Sequence, residues 1–482
     1  MSDRTLEDPP VSEPDLVDRP ATFRDVLANG EFRAVFYAGG LSALGDSMAR
    51  AAVTALVYQR TESTLIAAAT FAISFLPWLG LGPILAALAE RYPYRRTMVL
   101  SDLVRMATMA LVAIPGVPVP VLLVLLFVTA LFDPPFRAAR SALTPRLLHG
   151  DRYVLGMSLM DTSAHLALIT GYFAGGAIAA YHPHMAVLFN AATFGISACV
   201  IGLWVHHRTP ALAPDQRRHL LRETAEGIGV VFGSRVLRAI TLIVFSTVLF
   251  GVVPEGLAAA WAGHLTGNEH DRGWMQGLIM GSTPVGFIAG SLLINRFVGL
   301  STRQRLIRPF AVVAPLALAA ALADPNVYGT AAIALVSGFG VAALLPAANG
   351  LFVQALPDHF RARAFGVVSS GVQLCQGGAV FLTGALANRF DLPLVVGLWG
   401  AGGVVLMLLV SLIWPGQDAV ARAIDRARRG NAGATVPEPA PRVQPPRTDE
   451  PFAGPRAGET TGPIAAPRTG ETAGPPLPTA SH

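Results

Sequence analysis

Several acidic residues of this 482-residue chain stand in stretches that are otherwise too apolar to hold them. Asp46 lies about 20 Å into an apolar run that begins near residue 33, at 1.5 Å per helical residue. A charge at that depth of a bilayer costs roughly 2.5–3.5 kcal/mol. Arg50 follows four residues on and shares its helix face. The pair reads either as an internally neutralised brace or as a substrate or proton site. Asp161 and His165 repeat the spacing, and an imidazole titrates near neutrality and can pass a proton. Asp161 has an alternative partner in Arg50, across the helices. Glu255 directly follows Pro254, and an unpaired carboxylate beside a helix break in a cavity-lining span suits a proton carrier. Asp133 precedes Pro134, Pro135 and Arg137. No nucleophile–base constellation stands in a polar setting, so an enzyme is not expected. The histidine pairs His182/His184 and His264/His270 lack convergent ligand spacing, so neither a metal nor another cofactor is expected.

These residues need apolar helices to hold them. Only 14% of residues are charged against about 25% in ordinary soluble domains, and 52% are hydrophobic. A bilayer core takes about 20 apolar residues per helix, and windows of that size predict an all-α membrane protein with twelve transmembrane helices. They run near 33–58, 65–89, 97–115, 119–140, 153–180, 184–205, 237–262, 273–295, 305–323, 327–348, 362–387 and 393–414. Pro115, Gly116 and Pro118 punctuate one tight connection, and Asp324, Pro325 and Asn326 another. Alternate connections hold arginine clusters: Arg91, Arg95 and Arg96; Arg137, Arg140, Arg146 and Arg152; Arg208 to Arg238; Arg296 to Arg308; Arg361 and Arg363. The intervening ones hold only Arg60, Arg272 and Arg389. The positive-inside rule then puts both termini in the cytoplasm, in a multi-pass protein of the cell membrane.

The polar stretch 206–236 divides the spans into two six-helix bundles, 33–205 and 237–414, behind an N-terminal tail, 1–32. Its second part, His219 to Arg238, predicts a short amphipathic helix with Leu220, Leu221, Ile228, Val231 and Phe232 on one side. The halves echo each other. Gly82 and Arg95 recur in register as Gly290 and Arg303, and Arg152 and Gly175 as Arg361 and Gly384, as expected of pseudosymmetric transporter repeats. Residues 415–482 are rich in Pro, Gly and Thr and predict a disordered cytoplasmic tail, except that 418–429 reads as a basic helix suited to anionic headgroups.

Every basic residue outside histidine is arginine; the chain has no lysine. That excludes a P-loop, a pyridoxal Schiff base and a kinase strand lysine. Without a P-loop, an ion gradient is the expected driving force. The net charge of +5 follows from topology and is no nucleic-acid signal. Cys199 and Cys375 sit in apolar runs as small packing residues.

The segment holding Gly82, Glu90, Arg91, Arg95 and Arg96, between the second and third spans, resembles motif A of the major facilitator superfamily. Gly45 and Asp46, the run Ser101 to Arg105, and the run Leu148 to Arg152 resemble its bacterial macrolide-efflux and enterobactin-exporter branch; the run Pro357 to Arg363 also fits. The likeness covers about residues 30–415. It implies a cytoplasmic gate in which Glu90 sits against the N-terminus of the eleventh helix, near Arg361 to Phe365, with Asp102, Arg105, Asp133, Arg137 and Arg140 completing the network. It also implies proton-coupled export of a hydrophobic or amphipathic small molecule by alternating access. An importer of the same fold and a non-transporting membrane sensor are the alternatives. Two positions depart from the pattern. Glu90 stands where Asp is usual, and Tyr172 replaces the Pro of the fifth-span antiporter motif at Gly171 to Gly176, so the kink that Pro would supply is not expected.

Overall fold

The computed structural model describes residues 22–78, 92–208, 220–357 and 360–434. The chain divides into a unit over residues 1–433 and a second from Ala434 to His482, of which only Ala434 is described. The tail expected to be disordered thus lies outside the described residues, as do Gly82, Glu90 and Arg91.

The described residues form helices and no strand. After the single turn α1 (Phe23–Leu27) come α2 (Gly30–Thr61), α3 (Thr64–Ala72) with a 3-10 extension (Ile73–Trp78), α4 (Tyr94–Val112), α5 (Val119–Leu131), α6 (Asp133–Leu147), α7 (Asp151–Ala179) and α8 (Pro183–Trp204). The second half has α9 (Leu220–Gly233), α10 (Arg235–Gly251), α11 (Val253–Gly256), α12 (Ala258–Leu265), α13 (Glu269–Phe297), α14 (Leu300–Ala319), α15 (Val327–Ala355), α16 (Arg361–Ala387), α17 (Leu392–Leu412) and α18 (Gln417–Ala434). Local chemistry sets the ends. Asn29, Ser63 and Asn326 cap α2, α3 and α15 with their side chains. Gly116 turns the α4–α5 connection at φ +87°.

Eight of the helical segments are long and apolar enough to cross a membrane: Val119–Leu147, Pro183–Trp204, Arg235–Gly256, Glu269–Phe297, Arg305–Ala323, Val327–Ala355, Arg363–Ala387 and Leu392–Leu412. Three more expected spans are long but more polar. Among them α2 carries Asp46 and Arg50, α4 carries Asp102 and Arg105, and α7 carries Asp161 and His165. The remaining one, α3 with its extension, runs out of the described residues after Trp78.

Two spans are broken in the middle. The fourth breaks at Phe132, so that Asp133 opens α6 with Pro134 and Pro135 in its first turn. The seventh breaks around Pro254, and the short α11 carries Glu255. In contrast α7 is continuous over 29 residues through Tyr172, as the missing Pro predicts.

In the first half α2 packs on α7 and α8, and α8 on α4; in the second, α15 packs on α13, α14 and α10. The halves meet along two seams, α7 on α13 and α3 on α16. Gly273, Gly277 and Gly281 recur every fourth residue on α13, which lets two backbones approach closely. A Cβ added to Gly176 of α7 would lie 2.6 Å from the Gly277 Cα, so only glycine fits there. This end is further closed by Tyr58 against Gly263 and by the Ser63 hydroxyl, 2.9 Å from Asn388 Oδ1. The opposite end bears the arginine-rich connections. There the start of α2 and the end of α8 meet: Glu31 holds Arg208 at 2.6 Å and His206 at 2.8 Å.

The amphipathic helix expected after His219 is α9, and it docks on α16, with Gly227 against the Arg363 backbone and Glu226 2.7 Å from the Arg363 guanidinium. Val231 is buried, whereas Ile228, expected on the apolar side, is exposed. The helix packs on α16 and α10, and Ile228 lies outside that contact. The basic helix expected at 418–429 is α18, with Arg422, Arg426, Arg428 and Arg429 all exposed.

Candidate functional site

Three helices of the first half deliver charge to one buried point. The Arg105 guanidinium donates to Asp46 Oδ2 at 2.7 Å, and lies 3.7 Å from Asp102 and 3.9 Å from Asp133. Arg137 then closes on Asp133 at 2.7 Å, one turn along α6. Asp102 is fully buried and accepts from the Ser197 hydroxyl at 2.6 Å. Asn190 donates to Asp46 at 3.4 Å. The Phe194 ring lies under the Arg105 guanidinium, 4.0 Å from its centroid. An arginine among three carboxylates, with two amide or hydroxyl donors and an aromatic face, offsets much of the cost of burying these charges, although Asp102 Oδ1 and Arg105 Nε are buried without a hydrogen-bond partner.

The geometry differs from the sequence expectation in three places. Asp46 does not pair with Arg50, its neighbour on the helix, because Arg105 reaches it from α4. Arg50 instead leaves over the Phe71 ring, 5.5 Å from its centroid, within electrostatic reach of Tyr172 and Glu255. Asp161 does not meet Arg50 either. Close approach of Gly175 to Met48 and Ala51 fixes the register of α7 on α2, which leaves Asp161 about 21 Å nearer the basic end. Asp161 is exposed there, 3.8 Å from His165, whose ring stacks on Phe287 of the other half at 4.7 Å. Thirdly, Glu255 is not unpartnered: the Tyr172 hydroxyl of α7 donates to its Oε1 on α11, beside the α7–α13 seam.

The residues expected at the gate separate. Asp102, Arg105, Asp133 and Arg137 join Asp46 in one network rather than forming a second site. Arg95 donates to the Gly202 carbonyl in the last turn of α8, where a helix C-terminus attracts a cation. Arg96 is exposed. Arg140 faces inward, with its Nη1 over Gly39, where an added Cβ would come to 2.8 Å.

A cavity with about 220 Å³ of water-accessible space runs along this network toward the basic end, between α2, α6 and α7. Asp46, Arg50, Arg105, Asp133, Arg137, Arg140 and His165 all reach it. A second cavity of about 100 Å³ meets the same charges from the side of Thr70, Thr129 and Asn190. Sequence reasoning missed Asn190, Ser197 and Gln276. Asn190 and Ser197 are seven residues apart and so share one face of α8, a pattern visible in the sequence. Gln276 is a lone amide in an apolar helix that donates to the Ala51 carbonyl at 2.9 Å and to Thr54 at 3.1 Å, across the seam.

Among the described residues, no group of three or more His, Cys, Asp or Glu side chains could hold a metal ion. Outside the spans, the Arg208 guanidinium, with His206, holds the Glu31 carboxyl down at about 2 against an ordinary 4.5.

Comparison with known proteins bears on the fold. Residues 35–261 match the Major Facilitator Superfamily model. A multidrug efflux pump, Tap, of Mycolicibacterium fortuitum is 23% identical over 381 residues, covering 75% of this chain and 90% of that protein. Among solved structures, the nucleoside transporter NupG superposes with a TM-score of 0.65 at 12% identity, covering 80% of this chain and 100% of that one. The peptide transporter POT in complex with sulfate gives 0.63 at 18% identity, covering 85% and 97%. The sequence match spans the first half and the start of the second, residues 35–261, and the fold match extends over both halves, so the chain has the fold of these membrane transporters.

Proposed function

We propose that this chain exports a hydrophobic or amphipathic small molecule across the cell membrane, driven by inward proton flow. The observation that carries the proposal is the Tyr172–Glu255 hydrogen bond, which ties a lone carboxylate of one half to the other half, beside Arg50 and the charged cavity. In this reading 33–205 and 237–414 rock against each other about the central cavity, with 206–236 as their connection and 1–32 and 415–482 as cytoplasmic tails. Rocking that opens the glycine seam separates Tyr172 from Glu255. The carboxylate then exchanges its tyrosine partner for a proton or for Arg50, so its protonation and the conformation are linked. The Asp46–Arg105–Asp133 network offers a second carboxylate whose partner changes when substrate enters. His165, at the rim, offers a proton path past Asp161.

The basic end, with both termini, faces the cytoplasm in this reading, because arginine-rich connections stay on that side. The gate is closed there in the alternate state by Gly82, Glu90, Arg91 and Arg96 meeting the start of α16. The direction of transport rests on the efflux relative at 23% identity and on the sequence likeness to exporter proteins.

Reconstitution in proteoliposomes with an imposed pH gradient tests the whole reading. Gradient-dependent flux is expected, and Asp46→Asn or Glu255→Gln abolishes coupling while leaving downhill exchange. Absence of gradient-dependent flux over a broad compound panel overturns proton-driven export. Normal coupling in both variants overturns the assignment of the carboxylates.

A further inference from the structure

The charges lining the cavity are not balanced at its surface. Asp46 and Asp133 face it, but each already holds an arginine at 2.7 Å, Arg105 and Arg137 respectively. Arg50 and Arg140 also face it, and among the described residues neither forms an ion pair. Glu255, which also acts electrostatically on Arg50, accepts from Tyr172 and does not line the cavity. Asp161 is turned out beside His165 at the rim. A cation entering the cavity would therefore have to displace an arginine from a short ion pair, whereas an anion finds two guanidiniums with donors to spare.

The two are placed in sequence along one wall. The Arg140 Nη1 lies over Gly39. Gly39 and Arg50 are eleven residues apart on α2, so they share a helix face and stand about 16 Å apart. The rest of the wall is apolar: Val35, Phe36, Phe136, Met160 and Leu168.

We propose that the cavity selects an organic anion, an amphipathic molecule with one acid group that is met first by Arg140 near the mouth and then by Arg50 at depth. This rests on the transport reading and names its substrate class. An acid group docked on Arg50 competes with Glu255 for the same guanidinium. Substrate arrival thus frees Glu255 to take a proton, which links the anion to the coupling step.

The test is isothermal titration of the full chain in nanodiscs with a matched series: 4-phenylbutyrate, its primary amide and the trimethylammonium analogue. The acid binds at least tenfold more tightly than either analogue. Arg50→Gln and Arg140→Gln each lose about tenfold in acid affinity and leave the amide unchanged, while Arg50→Lys and Arg140→Lys keep the preference. The lysine variants keep the charge, so they separate lost recognition from lost folding. An ammonium analogue that binds as well as the acid, no acid binding at millimolar concentration, or an unchanged preference in both glutamine variants overturns the proposal. Binding needs no flux. Acid-selective binding without gradient-driven flux therefore defeats the transport reading alone, and gradient-driven flux with charge-blind binding defeats this inference alone.

Discussion

Replacing Tyr172 with Phe removes one hydroxyl and nothing else from a fully buried ring, so the packing of α7 on α13 is kept. What is lost is a hydrogen bond to a carboxylate, a class worth about 1.5–3 kcal/mol. The bond exists only while the glycine seam is closed, so its loss falls on the equilibrium between sealed and opened forms. At 1.36 kcal/mol per decade, the ratio of opened to sealed molecules rises by about ten- to a hundredfold. Spin labels at Met185→Cys on α8 and Tyr328→Cys on α15 report this, because both side chains are exposed at the sealed end, one on each half. Cys199 and Cys375 are first replaced by alanine. Pulsed distance measurement should show a long-distance population that grows in Tyr172→Phe and grows no further when Glu255→Gln is added. Such non-additivity is the signature of a direct pair. Additive effects of the two substitutions, or an unchanged distance distribution in Tyr172→Phe, refute the assignment of this hydrogen bond as a tie between the halves.

Three further outcomes follow from the geometry. Arg105→Gln leaves three carboxylates without their shared cation and should destabilise the first half by about 3–5 kcal/mol, read as a lower thermal transition in nanodiscs, with partial recovery when Asp46→Asn and Asp133→Asn are added. Gly277→Leu drives a side chain into the Tyr172 carbonyl and the Gly176 Cα, which a bare Cβ already approaches to 3.0 and 3.2 Å; the sealed end should spread in the same distance measurement. Glu31 has a folded value of about 2, below its ordinary 4.5, so its contribution to stability is full above pH about 4.5 and is lost as pH falls toward about 2. The stability gap between the parent and Glu31→Gln should therefore close over that window, and a gap that persists at pH 2 contradicts the Arg208 pairing.

Apolar run lengths and turn residues are local properties, and they carried the all-helical architecture. The pairing of charges is not local. Arg50 is the nearest cation to Asp46 along the helix, and the partner Asp46 takes is Arg105, fifty-nine residues away. The register that α7 adopts on α2 is set by Gly171 and Gly175 meeting the α2 backbone, and that register carries Asp161 out of reach of Arg50. Tyr172 shows the same limit from the other side. Read along the chain it is the loss of a proline, yet a buried tyrosine hydroxyl needs a partner. Glu255 was the one carboxylate left without one. Those two observations, taken together, point to the pair before any coordinates exist.

The charges are also divided unequally between the halves, and the division says which half does what. Among the described residues, all six spans of the second half qualify as apolar crossing segments, whereas in the first half only the fourth and sixth do. The network of Asp46, Asp102, Arg105, Asp133 and Arg137 belongs wholly to the first half, held by α2, α4 and α6 with α8 behind it. Away from helix ends, the second half brings one carboxylate to the seam, Glu255. A body tied together by such an internal ion-pair network moves as a unit, since pulling one partner out costs several kcal/mol. The polar contacts that must break when the halves separate at this end are then the Tyr172 bond, of about 1.5–3 kcal/mol, the Gln276 amide bonds and the Ser63–Asn388 bond. A strong internal network and a weaker tie between bodies favour rigid rocking over local rearrangement, and in the proposed reading Glu255 is the group through which a proton biases it.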